Sequence, residues 1–165
     1  MSDDVLQVHG YGFVFAGNFI GIVPAQFLAF LDQAPQLKKK VQDNAPAFLE
    51  KVEEMMQEGE GLAGEEEELD ELLSDYEWDD TVFNGLAALY VDAANEVSGI
   101  GLEVQRDDDD GNIVMLEAAA PWEFSKKQNQ IESKEHLSTV LNACCDKTGI
   151  VCNIDVQHVT AEMWD

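Results

Sequence analysis

FVFAGNFIGIV, Phe13 to Val23, decides how the first strands pair. Gly17-Asn18 divides two apolar runs, and both positions tolerate φ > 0, as a two-residue hairpin turn requires. Just upstream, Tyr11, Phe13 and Phe15 alternate and fall on one strand face. The stretch therefore predicts a β-hairpin over Val5–Val23. A second hairpin is predicted where IGLEVQ and NIVMLEA flank RDDDDG, because Asp110-Gly111 is a strong turn signal. A last strand is predicted over Val151–Val159.

The segments between read as helices. Pro24 suits a first helical turn, where its missing N–H does no harm. PAQFLAFLDQ puts Phe27, Leu28 and Leu31 on one face, and Ala34-Pro35 ends it. QLKKKVQD, with the basic cluster Lys38, Lys39 and Lys40, is a short second helix. Asn44 is placed to cap a third, with Pro46 in its first turn. There Phe48, Val52, Met55 and Met56 recur at helical spacing, the methionines as core filler. Asp80 or Thr81 is placed to cap TVFNGLAALYVDAANEVSG, which Gly99 ends. Ser133 is placed to cap SKEHLSTVLNACCDK, which Thr148-Gly149 closes. The expected fold is a single α+β domain over residues 1–165. It would hold one mixed, mostly antiparallel sheet of about five strands under four or five helices.

Charge is the strongest functional lead. The chain carries 34 acids against nine Lys and Arg, a net charge of −25. Such a field repels nucleic acid and anionic membrane, and draws basic proteins. The apolar run Tyr11–Leu31 is too interrupted, by Gly17, Asn18, Gly21, Pro24 and Gln26, to span a bilayer. The opening MSDDVLQ is acidic where a signal peptide needs a basic n-region. Cys144, Cys145 and Cys152 are an odd set, which points to reduced thiols and a cytoplasmic setting.

The acids are concentrated. From Asp43 to Asp80 there are sixteen against Lys51 alone, so this region contributes −15. Within it, EGEGLAG (Glu58–Gly64) is a flexible link, and GEEEELDELLSDYEWDD (Gly64–Asp80) follows. Leu69, Leu72, Leu73 and Tyr76 are spaced i, i+3, i+4, i+7, which predicts an amphipathic helix that docks one face and keeps the other charged. Glu65–Glu68 suit the helix N-terminus electrostatically. Trp78, among Glu77, Asp79 and Asp80, is positioned to stack on an arginine. The expected partner-binding residues are Glu65, Glu66, Glu67, Glu68, Asp70, Asp75, Glu77, Trp78, Asp79 and Asp80.

Other motifs yield to simpler readings. RDDDDGNIVMLE (Arg106–Glu117) approaches a calcium loop, but Arg106 occupies the first ligand position and strands, not helices, are predicted to flank it. His136, Cys144, Cys145, Cys152 and His158 match no zinc spacing. A Cys-His nucleophile pair has no supporting motif, and thiol activation needs positive charge this chain lacks. No Walker loop or dinucleotide fingerprint is present, and no cofactor or metal is expected. Gly10 and Gly12 of His9-Gly-Tyr-Gly read as close packing in a strand. Trp122 and Phe124 read as core-edge plugs, and Trp164 as a C-terminal pin.

Two functions follow. The first is a non-catalytic acidic protein that binds a basic partner, such as a nucleic-acid-binding enzyme or nuclease. Its form would be a nucleic-acid-mimicking inhibitor or an immunity protein of phage or mobile-element type, without direct nucleic-acid or membrane binding. The second is a small enzyme or small-molecule-binding domain with a site between sheet and helices, using His9, Tyr11, His136 and Cys152.

Overall fold

A computed structural model of the chain describes residues 5–15, 18–59, 66–78, 83–99, 102–107, 111–116 and 134–164. Within these, residues 5–10, 78, 83–84, 103, 105–107, 111–113, 115–116, 134–136 and 158–164 are described by backbone alone. Eight strands and six helices lie among them: β1 (Val5–Val14), β2 (Phe19–Ile22), α1 (Pro24–Gln33), α2 (Pro35–Asn44), α3 (Pro46–Gln57), α4 (Glu66–Leu72), β3 (Glu77–Trp78), β4 (Phe83–Asn84), α5 (Leu86–Ser98), β5 (Leu102–Asp107), β6 (Gly111–Leu116), α6 (Lys134–Thr148), β7 (Ile150–Cys152) and β8 (Gln157–Trp164).

The α+β class stands, but the single sheet of about five strands does not. The described strands divide among three sheets: β5-β6-β1-β8, β2-β7 and β3-β4. The first expected hairpin also fails, because β1 and β2 never pair. Antiparallel β8 takes Val5–Gly12 along one edge of β1, and antiparallel β6 takes Gly12–Val14 along the other. Gly12 is thus bonded on both sides, to Met115 and to Gln157. A strand has only two edges, so β2 leaves the sheet and pairs with β7, Phe19 opposite Cys152 and Ile22 opposite Ile150. Asn18 directs the departure. Its amide donates to the Val14 carbonyl, and its own carbonyl accepts from Asn153 N at 2.7 Å.

The last strand is likewise broken. The sequence predicts one continuous strand over Val151–Val159, but residues 153–156 separate β7 from β8, which belong to different sheets. The second hairpin forms as expected, with Arg106 opposite Asn112 and Asp107 opposite Gly111. Strands therefore flank the run that resembles a calcium loop.

Three helices follow one another at proline punctuation. Pro24, Pro35 and Pro46 each stand in a first turn. Ala34 and Ala45, each preceding a proline, sit at φ −125°, ψ 72° and φ −143°, ψ 57°. Proline disfavours the α conformation in the residue before it, so each helix stops there. Both alanines are buried, which leaves room only for a small side chain at these corners. Asn44 is the last residue of α2 rather than a cap of α3, and its amide bonds the Lys40 carbonyl at 2.9 Å.

One buried cluster joins these elements through Phe13, Ile22, Phe27, Phe48, Leu69, Tyr90, Val114 and Ile150. Rings meet edge to face within it, Phe27 with Phe48 at 5.8 Å and Phe13 with Tyr90 at 5.7 Å. Such pairs add about 0.5–1.5 kcal/mol beyond area burial. Helix α5 runs through the centre: Leu86–Val91, Ala93 and Ala94 are all buried. A helix apolar on nearly every side has to be enclosed. Asn95 fixes it to the sheet, accepting from Leu102 N at 2.7 Å and donating to Leu102 O at 3.0 Å. Gly99 ends α5, as the sequence indicates. The start differs: α5 begins at Leu86, and Phe83 and Asn84, expected inside the helix, form β4. Asp80, Thr81 and Ser133, the expected caps, lie outside the described residues, as do Trp122 and Phe124.

Candidate functional site

Helix α4 ends at Leu72, so Leu73 and Tyr76 of the expected helical stripe lie beyond it, but the stripe still docks. Leu69, Leu73 and Tyr76 are wholly buried and Leu72 is half-buried. Burying a leucine contributes about 1.5–3 kcal/mol, enough to hold a seven-residue helix that would not persist alone. Glu66, Glu67 and Glu68 fill the first turn of α4, where the helix dipole favours negative charge.

Helix α3 carries the matching pattern. Phe48, Leu49, Val52 and Met55 face the core, while Glu50, Glu53 and Glu54 face out. Of the two methionines expected in the core, Met55 is buried and Met56 is 43% exposed. The acidic sides of α3 and α4 meet in one groove of about 570 Å³. Glu50, Glu53, Glu54 and Glu68 line it, over Ala47 and Leu72. Among the described residues its one cation is Lys51, whose Nζ lies 3.5 Å from Glu68 Oε1. Glu50 and Glu53 also border a second depression, toward Gln42 and Pro46 of α2 and α3.

Two lysines of the basic cluster are paired with acids outside this groove. Lys38 bonds Asp32 at 2.7 Å. Lys40 bonds Asp92 at 2.7 Å and lies 4.7 Å from the centre of the Tyr76 ring. The Tyr76 hydroxyl donates to the same Asp92 oxygen. Burial, then the charge of Asp92 and this hydrogen bond, push the Tyr76 phenol well above its ordinary 10.0.

The expected site residues separate in space. Glu67, Asp75 and Glu77 are exposed, and Glu68 enters the groove. Glu66 is half-buried at the start of α4, close enough to raise the pKa of Cys152. Asp70 is committed elsewhere. Its Oδ1 accepts the Leu86 N–H at 2.9 Å and caps α5 from another helix. Glu65, Asp79, Asp80 and the Trp78 side chain lie outside the described residues.

Sequence reasoning missed Glu50, Glu53 and Glu54 as site residues, although it counted their charge. Their helical spacing was a usable signal; that α4 would face them was not.

For the alternative site, Tyr11 is half-buried on β1 in the four-stranded sheet, whereas Cys152 is buried on β7 in another. The side chains of His9, His136 and His158 lie outside the described residues. Among the described residues, no group of three or more His, Cys, Asp or Glu is arranged to hold a metal ion, and no helix is long and apolar enough to cross a membrane. Comparison with family models, with curated proteins and with solved structures finds no match for this chain.

Proposed function

We propose that this is a non-catalytic acidic interaction protein whose α3–α4 groove receives a basic segment of a protein partner. One observation carries the reading: carboxylates from two helices, separate in sequence, line a common groove in which the described residues include one lysine. Neighbouring like charges destabilise an isolated helix, so a fold that retains them is consistent with an external cation to offset them. Glu67, Asp75 and Glu77, on the same segment as α4, are further exposed acids. In its finer form the partner is a nucleic-acid-binding enzyme or nuclease, and the protein occupies the channel that its phosphates would fill. A cytoplasmic setting and an origin in phage or a mobile element belong to this proposal.

The test separates the groove from net charge. One variant carries Glu50→Gln, Glu53→Gln, Glu54→Gln and Glu68→Gln. A control neutralises four exposed acids elsewhere: Asp32→Asn, Glu96→Gln, Asp146→Asn and Asp155→Asn. The probe is a lysine- and arginine-rich peptide, titrated at low and moderate salt. Binding to the native protein should weaken roughly tenfold as screening shortens. The groove variant should lose binding, and the control should keep most of it. Equal losses in both would reduce the effect to bulk charge and overturn the proposal. For the finer form, the native protein should displace duplex DNA from a basic nuclease at low salt; no displacement removes that form alone.

A further inference from the structure

A cavity of about 480 Å³ opens where α1, α5 and the end of α6 meet. It shares no described lining residue with the acidic groove. Ligand pockets span about 300–1,000 Å³, so a small molecule fits. On α1, Gln26, Ala29, Phe30 and Gln33 are spaced i, i+3, i+4, i+7, and one stripe of the helix lines the space. Phe30 is buried and Val97 of α5 half-buried, which gives an apolar floor. Ala29 and Ala34 are short and leave the volume above it open.

Helix packing fixes the walls. Val23 N, just before α1, donates to the Gly149 carbonyl at 2.7 Å. Gly149 stands at φ +74°, and a Cβ there would lie 2.6 Å from Phe27 N and 3.1 Å from Gln26 Cβ. Glycine permits this approach, which brings the last turn of α6, with Lys147, to the cavity beside Gln26. Thr148 pins the turn by donating to the Cys144 carbonyl at 2.7 Å. Cys144 Sγ lies 3.9 Å from the Ala94 carbonyl, which sets α6 against α5 just before Glu96 and Val97. The polar groups around the cavity carry both signs, Glu96 from α5 and Lys147 from α6. Among the described residues, neither side chain has an ion-pair or hydrogen-bond partner, and the same holds for Gln26 and Gln33. Lys38, Lys40 and Lys51, by contrast, are each paired with an acid.

We propose that this cavity binds a small zwitterion with an apolar side chain, an amino acid or a dipeptide, whose ammonium meets Glu96, whose carboxylate meets Lys147 and whose side chain rests on Phe30 and Val97. Gln26 and Gln33 supply amide donors and acceptors along the α1 wall. Each charged end of the ligand gains a charge-assisted hydrogen bond, and its apolar part leaves water. The net charge of −25 by itself would favour a plain cation over a zwitterion. Preference for the zwitterion is therefore the signature of a site that uses both Glu96 and Lys147. This inference is independent of the acidic groove.

Calorimetric titration of the full-length protein tests this with L-leucine and L-leucyl-L-leucine as probes. Saturable binding of at least one is expected, and the tighter of the two gives the length of the ligand. The amide of that probe lacks the carboxylate and is a net cation; its N-acetyl form lacks the ammonium. Both should bind roughly tenfold more weakly than the zwitterion, the scale of one charge-assisted hydrogen bond. Lys147→Gln should weaken the zwitterion by a similar factor and leave the amide form unchanged. Glu96→Gln should weaken it likewise and leave the N-acetyl form unchanged. Ala29→Trp should abolish binding by filling the cavity. All three positions are exposed, so the variants should melt with the native protein. An amide that binds as tightly as the zwitterion would reduce the effect to attraction of cations and overturn the proposal. Full affinity in Lys147→Gln or Glu96→Gln, or no saturable binding of either probe, would overturn it too.

Discussion

Asp70→Ala separates an acid that builds the fold from acids that face solvent. Sequence places Asp70 among the partner-binding carboxylates, but its oxygen accepts the Leu86 N–H at 2.9 Å, at the first turn of α5. The usual capping position cannot serve. It is Gly85, which has no side chain, and at φ +94° a Cβ there would fall 2.2 Å from Asp70 Oδ1. Glycine at this position and aspartate from α4 therefore form one device. Losing a helix cap costs about 0.5–2 kcal/mol, and an anion at a helix N-terminus is worth roughly 0.3–1 kcal/mol more at an exposed site. Asp70 is largely exposed, so about 1–2 kcal/mol is expected from the pair of effects together. For a chain of this length each kcal/mol moves Tm by about 2–4 °C. Asp70→Ala should thus lower Tm by about 5 °C in a calorimetric scan, with Asp70→Asn recovering part of the loss through its remaining oxygen. Glu67→Gln, which removes equal charge one turn earlier in α4, should leave Tm nearly unchanged. If Asp70→Ala melts with the Glu67→Gln control, the cap contributes nothing and the assignment fails.

Two further outcomes follow. Tyr76 has a raised pKa in the folded protein, so its contribution is complete below pH 10 and is lost as pH climbs beyond 10.0, where the unfolded phenol ionises first. Tyr76→Phe should flatten the alkaline limb of a urea-stability profile, and an unchanged slope would contradict the Tyr76–Asp92 contact. Gly149→Ala combines a left-handed conformation, costing about 1–2 kcal/mol, with a Cβ pressed onto the α1 backbone. It should destabilise more than Asp70→Ala in denaturant titration, and a loss under about 1 kcal/mol would refute the close approach.

Several elements are legible in the sequence because their causes are local. Pro24, Pro35 and Pro46 mark helix starts through ring geometry alone. The Leu69–Tyr76 stripe states which side of the acidic segment docks. Asp110-Gly111 predicts the β5–β6 hairpin, and its strands pair. The same local logic misleads at Gly17-Asn18, because a turn signal says that the chain can reverse, not which strand it will meet. The candidate site is half legible for a related reason. Charge density is written along the chain, whereas Glu50, Glu53 and Glu54 meet Glu68 only once α3 packs beside α4.

Composition and periodicity settle a heavily anionic, mixed α+β chain with proline-started helices and one docked face on the acidic segment. Strand partners were decided in three dimensions. β8 and β6 occupy both edges of β1, so β2 must find β7, and that pairing sets Cys152 opposite Phe19. Asp70 became a cap for the same kind of reason. Backbone donors and acceptors left over by one element must be satisfied by whatever another element brings within reach, and that proximity is a property of the folded chain.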